Sequence, residues 1–443
     1  MQYLPNILFV AALIAGIGFF IRNVKKLARN IKLGKKVDVT DNTSLRWRNM
    51  FKIALGQTKM VVRPIPGLLH IIVYLGFIII NIEVLEIIID GILGTHRVFS
   101  PLGSAYNFLI ASFEILALLV IIAVVVFWIR RNLMRLGRFV KPEMKGWPKT
   151  DANWILYIEL ILMVLFLTMN GADYQLQQMD AAHYTKAGDF PISQFLAPFF
   201  NGMSISSLIL IERLAWWLHI LGILFFLNYL YYSKHLHILL AFPNTYFGKL
   251  GPKGKLNNLE SVTKEVRLMM DPSADPYAAT PEVENGEEVS KFGASDVKDL
   301  SWVQLLNAYT CTECGRCTNE CPANQTGKKL SPRKIMMDTR DRLEEVGKNL
   351  DINKGIFKDD GKQLLDDYIT REELWACTSC NACVEACPVS IHPLSIIMDM
   401  RQYLVMEQSA APSELNNMMG NIENNGAPWP FNQMDRLNWA KEN

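Results

Sequence analysis

Two short cysteine runs constrain this chain of 443 residues more than any other feature. Each run follows the pattern C-x2-C-x2-C-x3-C-P, and together they contain all eight cysteines of the sequence. Three thiolates within seven residues surround one side of an iron–sulfur cubane, whereas the fourth, beside proline, turns toward a second cluster. The spacing therefore predicts two [4Fe–4S] clusters, one on Cys311, Cys314, Cys317 and Cys387 and the other on Cys377, Cys380, Cys383 and Cys321.

Zinc binding and disulfide bonds are the alternative uses of such cysteines. A zinc site takes four ligands, and a third closely spaced cysteine followed by Cys-Pro in both runs is not zinc-ribbon spacing. A secreted disulfide scaffold would scatter its cysteines along the chain, whereas these all lie within residues 311–387. Because two clusters would use every thiol, no cysteine remains for other chemistry.

The first 240 residues contain five apolar segments, each close to the ~20 residues that a helix needs to cross about 30 Å of hydrocarbon. The loops after the first and third segments contain twelve and seven lysine or arginine residues, whereas the loops after the second and fourth contain one each. Positive loops stay on the cytoplasmic side, so we expect the N-terminus outside and the C-terminal half in the cytoplasm. Membrane lipid is thus an expected partner, whereas the net charge of +2 gives no indication of nucleic acid. The five segments cover roughly residues 4–21, 67–89, 106–129, 153–170 and 212–233.

Three histidines in or beside these segments are candidate haem ligands, because an ionisable side chain inside a membrane helix is costly unless it is used. His219 and His237 are eighteen residues apart. On a continuous helix this is about five full turns, so both would project from the same face. His70 lies near the cytoplasmic start of the second segment, at the same depth as His237. Two facing imidazoles at this depth are what six-coordinate haem b requires.

The other ionisable groups of the membrane half have less specific interpretations. His235, sixteen residues from His219, would face nearly the opposite way on a continuous helix. We expect it to cap a helix end or contact lipid headgroups, as we do for His96 and His183 in the outer loops. Glu83 and Glu86 are either buried carboxylates that relay protons to or from a quinone, or groups at the level of the outer headgroups. The second interpretation is the one we expect.

The composition divides the chain into four predicted parts. Residues 250–300 are rich in Pro, Asp, Glu, Gly and Ala without a sustained period, as in an exposed connector. Ser331 followed by Pro332 is a typical helix start, and a second helix is expected over residues 391–404. The predicted fold class is all-α, with a five-helix transmembrane bundle followed by a cytoplasmic α-helical two-[4Fe–4S] ferredoxin-like domain. The four parts are a membrane haem b domain (1–245), a linker (246–300), a two-cluster domain (301–407) and a C-terminal tail on which a further subunit docks (408–443).

The membrane half resembles the five-helix haem b gamma subunit of respiratory nitrate reductase and its relatives in heterodisulfide-reductase-like membrane complexes. In that family the second helix supplies two histidines, and the fifth supplies two more, eighteen residues apart, for two stacked haems. His219 and His237 match the fifth helix, whereas the place of the other second-helix histidine reads Ile79-Ile80-Asn81. The resemblance implies one haem b on His70 and His237, with a second haem on His219 as the alternative.

The stretches 326–333 and 374–380 resemble the small subunit of heterodisulfide reductase and the C-terminal iron–sulfur domain of succinate dehydrogenase. Taken as a whole, the chain resembles the iron–sulfur oxidoreductases linked to electron-transfer flavoprotein and menaquinone. In fused members a domain with paired Cys-Cys-Gly motifs follows a Gly-x-Pro-Trp segment, which here corresponds to residues 426–429. Because all eight cysteines are already assigned, we expect a separate cytoplasmic subunit to supply that domain.

No G-x-G-x-x-G motif follows a strand, so neither a flavin nor a nicotinamide site is expected, and no catalytic residue is assigned. The sequence predicts an electron-transfer subunit of a quinone oxidoreductase in the bacterial inner membrane. It would carry electrons between a cytoplasmic redox partner, two [4Fe–4S] clusters, haem b and menaquinone or another quinone. One alternative is a heterodisulfide- or sulfite-linked complex with the same order of centres. The other is a membrane redox sensor or scaffold without haem.

Overall fold

The computed structural model describes residues 3–256, 258–271, 273 and 291–441. Within these ranges the chain forms α-helices, 3-10 turns and one π-helical segment (Phe51–Leu55), and its only β-type contacts are two isolated bridges. The predicted all-α fold class is confirmed. The helices are α1 (Leu4–Ile31), α2 (Thr43–Met50), α3 (Pro64–Leu93), α4 (Ser104–Asn132), α5 (Trp147–Gln178), α6 (Ala197–Phe200), α7 (Ile205–Tyr229), α8 (His237–Tyr246), α9 (Glu260–Met270), α10 (Trp302–Thr310), α11 (Arg316–Asn319), α12 (Pro322–Gln325), α13 (Pro332–Ile352), α14 (Leu364–Asp367), α15 (Arg371–Trp375), α16 (Ala382–Ala386), α17 (Pro393–Met406) and α18 (Ser413–Asn425).

Five helices, α1, α3, α4, α5 and α7, are long and apolar enough to cross a membrane, judged by length and composition. They form a bundle in which α5 lies between α4 and α7, and α1 contacts both α3 and α7. Each of the five predicted segments is therefore a helix, and the helices extend beyond the apolar stretches. We call the end of the bundle nearest the cysteine runs the proximal end and the opposite end, where α1 begins, the distal end.

The fifth membrane helix does not continue to His237, contrary to the expectation of one unbroken helix. α7 ends at Tyr229, a 3-10 turn follows, and Ser233 is extended at φ −117° and ψ 147°. The Ser233 hydroxyl accepts a hydrogen bond from the backbone N–H of His235, which starts a second 3-10 turn. A new helix, α8, then begins at His237. The eighteen-residue spacing therefore does not place His219 and His237 on one helical face.

The second half of the chain packs directly onto the proximal end of the bundle. Its hydrophobic core includes Leu27 of α1 and Leu236 beside α8, together with buried residues of α10, α13 and α17. The backbone N–H of Lys35 donates to the Leu300 carbonyl (2.8 Å), and a side chain at Gly34 would collide with the backbone of Trp302. The core of the cluster domain thus includes residues from the proximal end of the bundle, whereas the rest of the bundle packs around separate hydrophobic clusters. Residues 257, 272 and 274–290 of the predicted linker lie outside the described residues.

The expected helix start at Ser331 is confirmed. α13 begins at Pro332, and the Ser331 hydroxyl accepts a hydrogen bond from the backbone N–H of Lys334 (3.4 Å). This cap satisfies one of the N–H groups that a helix start leaves without a partner. The second expected helix is also present, as α17.

Candidate redox centres

The two cysteine runs have the same backbone path. In both, the residue before the second cysteine has a positive φ, 53° at Glu313 and 58° at Ser379. The residue after the second cysteine also has a positive φ, 71° at Gly315 and 61° at Asn381. Glycine and asparagine tolerate this left-handed conformation better than most residues do. Each run then enters a short helix, and these two helices, α11 and α16, contact each other.

Four thiols from both runs line one cavity, and we call them the first thiol group: Cys311, Cys314, Cys317 and Cys387. Cys387 reaches this cavity from the second run, as the spacing rule predicts. Burial raises the pKa of the Cys311 thiol to about 12 and that of Cys387 to about 11. Buried thiols of this kind require a positive centre such as iron before they ionise together.

The remaining four cysteines form the second thiol group: Cys321, Cys377, Cys380 and Cys383. Cys377 interacts electrostatically with Cys321 and Cys380, and Cys383 interacts with the same two cysteines and with Cys377. Cys321 therefore joins this group from the first run. Cys380 is exposed, whereas every member of the first group is buried or half-buried. Across the described residues, no three His, Cys, Asp or Glu side chains are placed to hold a single metal ion.

Cationic side chains surround the first thiol group. Arg333 is fully buried and lines the cavity, and its Nε has no hydrogen-bond partner among the described residues. The Nε and Nη1 atoms of Arg138, near Cys314, are likewise buried without such a partner. Burial lowers the pKa of Arg138 to about 10, and the nearby Cys314 opposes that shift. Unsatisfied buried donors are costly, so their placement fits an anionic sulfur-rich cluster, which would accept their hydrogen bonds.

The His70 and His237 imidazoles face each other at the proximal end of the bundle. Their ring centroids are 6.4 Å apart, with an angle of 42° between the ring planes. Metal–imidazole bonds are about 2 Å long, so two imidazoles on one metal have centroids roughly 6 Å apart. The Nδ1 of His237 lies 3.1 Å from the Lys234 carbonyl oxygen, and the Nδ1 of His70 is buried without a described partner. The pair therefore fits axial ligation of a haem, although α8 rather than α7 supplies His237.

His219 lies deeper in the bundle and is almost completely buried. Its Nδ1 is 3.0 Å from the Leu162 carbonyl oxygen, which fixes the ring and directs Nε2 away from that carbonyl. No imidazole of α3 faces it, because this stretch of α3 reads Ile79-Ile80-Asn81, and the Asn81 amide donates to a carbonyl of its own helix. The structure therefore keeps His219 apart from the His70–His237 pair.

Sequence reasoning missed the place of His235. Its ring centroid is 5.4 Å from that of His237, and its Nε2 is 3.6 Å from the Glu159 carboxylate. The expectation that it faces away from the other imidazoles is wrong, because that expectation assumed a continuous helix. No local sequence signal marks the break that brings His235 next to the pair.

Glu83 and Glu86 are also placed differently from the expectation of headgroup contact. Both are buried inside the protein at the distal end of the bundle. Glu86 accepts hydrogen bonds from the Phe99 N–H (2.8 Å) and the Tyr106 hydroxyl (3.0 Å). The expected exposure of these carboxylates is therefore wrong, because the chain after α3 folds back over them.

Two contacts connect the first thiol group to the histidine pair. Glu313, inside the first cysteine run, forms an ion pair with Lys234, three residues before His237. Arg316 of the same run donates to the carbonyl oxygens of Lys59 (3.1 Å) and Met60 (3.3 Å), in the segment before α3. The first cysteine run thus contacts the segment before His237 and the segment before α3.

The fold and these centres define a class of protein: a helical membrane protein that carries an iron–sulfur domain for electron transfer. Residues 310–391 match the family model of the 4Fe-4S dicluster domain. The chain is 29% identical to the probable iron-sulfur-binding oxidoreductase FadF of Bacillus subtilis and 26% identical to the EtfAB:quinone oxidoreductase of Syntrophomonas wolfei. Both matches cover 98% of this chain.

A third relative matches only one part of the chain. One subunit of the dihydromethanophenazine:CoB–CoM heterodisulfide reductase of Methanosarcina mazei is 29% identical over 34% of this chain and 37% of its own length. These relatives are named oxidoreductases or oxidoreductase subunits, which confirms both the resemblance and the expected class of an oxidoreductase subunit. The chain spans 61% and 59% of the length of the Bacillus and Syntrophomonas proteins. No solved structure matches the chain.

Proposed function

We propose that this chain is the electron-transfer subunit of a membrane quinone oxidoreductase in the bacterial inner membrane. Its order of centres would be a cytoplasmic redox partner, the second thiol group, the first thiol group, the His70–His237 pair and a quinone. The N-terminus would lie outside and the cluster domain in the cytoplasm, as the distribution of positive loops supports.

The residues that would hold the cofactors follow from the groups described above. The first thiol group would hold one [4Fe–4S] cluster and the second thiol group the other. His70 and His237 would be the axial ligands of a haem b, with a second haem at His219 as the alternative. When bound, these groups supply one-electron transfer. The protein contributes fixed positions, because the core of the cluster domain includes residues from the proximal end of the bundle.

One observation carries the proposal most directly. Two imidazoles with centroids 6.4 Å apart lie beside the contacts that lead to the first thiol group. A redox sensor or scaffold does not require such a pair next to its clusters. The His237 ring is further oriented by the Lys234 carbonyl, and a bond from the second ring nitrogen to the backbone is typical of metal-ligating histidines.

The cytoplasmic partner would dock near Cys380, the exposed member of the second thiol group. The name of the Syntrophomonas relative includes EtfAB and quinone. We therefore propose electron-transfer flavoprotein as the donor, either directly or through a separate subunit with Cys-Cys-Gly motifs. Menaquinone or another quinone would be the membrane substrate.

A heterodisulfide-linked complex is the second candidate. The similarity to the heterodisulfide reductase of Methanosarcina mazei covers a third of the chain and favours the same order of centres with a different cytoplasmic partner. The two candidates differ only in the partner. Reduction of the purified protein by electron-transfer flavoprotein, but not by thiol substrates, would favour the first.

The test is a reduced-minus-oxidised optical spectrum of the purified chain, with haem extraction and iron analysis. We expect about eight irons per chain and b-type α bands. The variants His70→Ala and His237→Ala should each lose the band and keep their iron, whereas His235→Ala, a neighbouring imidazole, should keep both. Haem-free wild-type protein with full iron content would contradict the proposed haem.

A further inference from the structure

A second polar region lies at the distal end of the bundle, far from the thiol groups. A cavity of about 360 Å³ is enclosed there by α1, α3, α5, α7 and the loops that join them. Sites for small organic ligands typically have volumes of about 300–1,000 Å³ and combine apolar walls with a few convergent polar groups. The apolar wall of this cavity includes Phe9, Met169, Trp216 and Trp217.

Glu83 is a buried carboxylate that lines the cavity. Its side chain is 3% exposed, and Oε2 is buried without a hydrogen-bond partner among the described residues. The nearest cation, Arg97, has Nη1 4.0 Å from Oε1 of Glu83. That guanidinium is already engaged, with Nε donating to Asp173 (2.6 Å) and Nη2 donating to Asn170 (3.0 Å). A buried carboxylate oxygen left in this state is costly unless a ligand provides the missing hydrogen bond.

Ionisable side chains connect Glu83 to the protein surface. Arg97 contacts Asp173, and the Nε2 of His96 lies 3.4 Å from the Asp173 carboxylate. The ring of His96 is 5.8 Å, centroid to centroid, from that of His183, which is exposed at the mouth of the cavity. Glu86, Asp90, Glu212 and Arg213 complete the polar lining. Protons therefore have a series of carriers between the buried carboxylate and water.

We propose that this cavity binds the headgroup of a lipid-soluble quinone, with Glu83 hydrogen-bonded to one ring oxygen. The proposal rests on the proposed function and names the site for its membrane substrate. Carboxylates accept hydrogen bonds from quinol hydroxyls, and His96 and Arg97 offer donors to quinone carbonyls. The indole rings of Trp216 and Trp217 offer flat apolar faces for the quinone ring.

The proposed reaction at this site is the reduction of a quinone to a quinol. A quinone gains two electrons from the redox centres of the chain and two protons from the aqueous side through His183, His96 and Glu83. Its two C=O groups thereby become C–OH groups, and the reverse reaction returns the same electrons and protons. Glu83 is thirteen residues, about 20 Å along α3, from His70. The alternative haem site at His219 would lie three residues along α7 from Trp216, a residue of the cavity wall.

The experiment uses the purified full-length chain in detergent with menadione, a naphthoquinone without a tail. Binding is measured by equilibrium dialysis, and menadione reduction is measured after the clusters have been chemically reduced. We expect Glu83→Gln to weaken binding and slow reduction at least tenfold, with iron and haem contents unchanged. Trp217→Ala should weaken binding several-fold, and Trp154→Ala, an exposed tryptophan of α5 outside the cavity, should not.

The possible outcomes distinguish failure of the proposed quinone site from failure of the proposed function. If Glu83→Gln and Trp217→Ala bind and reduce menadione as the wild type does, the quinone site is elsewhere and the proposed function stands. If the wild type neither binds nor reduces menadione, the proposed function itself fails. If Glu83→Gln does not fold, the comparison of menadione binding by Trp217→Ala and Trp154→Ala tests the proposed site on its own.

Discussion

The two thiol groups are built from nearly identical backbone paths, yet their surroundings differ. The first group is covered by the membrane bundle and contacted by cationic side chains, among them Arg138, Arg316 and Lys59. The second group has an exposed member, Cys380, and Arg401 lies near its Cys377. Two cysteine runs with the same spacing therefore lie in different electrostatic environments.

This difference predicts a direction for the proposed electron path. Positive charge near a cluster stabilises its reduced, more anionic form, and burial strengthens that effect. We expect a cluster on the first thiol group to have the higher reduction potential of the two. Electrons that enter near Cys380 would then move toward the membrane. Four predictions test or refine this comparison, in order of decreasing effect.

The largest expected effect is the loss of a cluster when the fourth cysteine of either run is replaced. Each of these two cysteines is assigned to the cluster that the other run holds. Cys387→Ala should remove the cluster of the first thiol group, and Cys321→Ala should remove the other, because each supplies the fourth ligand to the opposite run. Iron content should fall from about eight to about four per chain in each case. Electron paramagnetic resonance identifies which signal is lost. If Cys387→Ala loses the same signal as Cys380→Ser, the crossed ligand assignment is wrong.

The next effect concerns the ion pair that joins the first cysteine run to the bundle. Glu313 is buried and pairs with Lys234 and with Arg340 (2.9 Å), whereas its counterpart Ser379 carries no charge. Removing one partner of a buried ion pair costs about 3–5 kcal/mol, so Glu313→Gln should destabilise the domain by about that much. Thermal unfolding of the complete protein measures the loss.

The exposed pair Lys329–Glu372 provides the matched control for this measurement. Glu372→Gln should leave the unfolding temperature unchanged, because exposed ion pairs contribute little. Equal effects of Glu313→Gln and Glu372→Gln would show that the contact between the cysteine run and Lys234 does not stabilise the domain.

A smaller effect is expected at the residue after the second cysteine of each run. Gly315→Ala should cost about 1–3 kcal/mol, because φ is 71° and the new Cβ would collide with the Arg333 guanidinium. Asn381→Gly should change stability by no more than about 0.5 kcal/mol, because asparagine and glycine both tolerate a positive φ. Chemical unfolding of both variants measures the difference. If Gly315→Ala leaves the free energy of unfolding unchanged, the close approach of Arg333 to Gly315 is contradicted.

The smallest effect is on the reduction potentials themselves. Arg138→Gln should lower the reduction potential of the first cluster, because it removes a buried positive charge near Cys314. Arg401→Gln should shift only the other cluster. Redox titration followed by electron paramagnetic resonance separates the two signals. Equal shifts of both clusters in Arg138→Gln would contradict the unequal environments.

The ligand groups could be predicted from the sequence because the spacing of cysteines within a run restricts which thiols can meet. The pairing of His70 with His237 was also predictable from their depth, yet part of the reasoning was wrong. The chain breaks at Ser233, where a local cap and the ion pair of Lys234 with Glu313 replace helical hydrogen bonds. Glu313 is 79 residues away from Lys234, and no local pattern encodes such a contact.

The surroundings of the centres were not predictable for the same reason. Arg138 comes from a loop between membrane helices and Arg333 from the first turn of α13, and neither position stands out in the sequence. Glu83 was expected at the level of the outer headgroups. Its burial depends on Arg97 and Asp173, which come from a loop and from α5. Tertiary contacts of this kind decide where charge is buried.

The central claim is that electrons pass from the second thiol group through the first to the histidine pair. Its most direct test is rapid mixing of the purified protein with a reduced ferredoxin, which is too large to enter the membrane half, while haem absorbance is followed. In Cys387→Ala, we expect the remaining cluster to be reduced at the wild-type rate and haem reduction to slow at least a hundredfold. Haem reduction at the wild-type rate in Cys387→Ala would contradict this path.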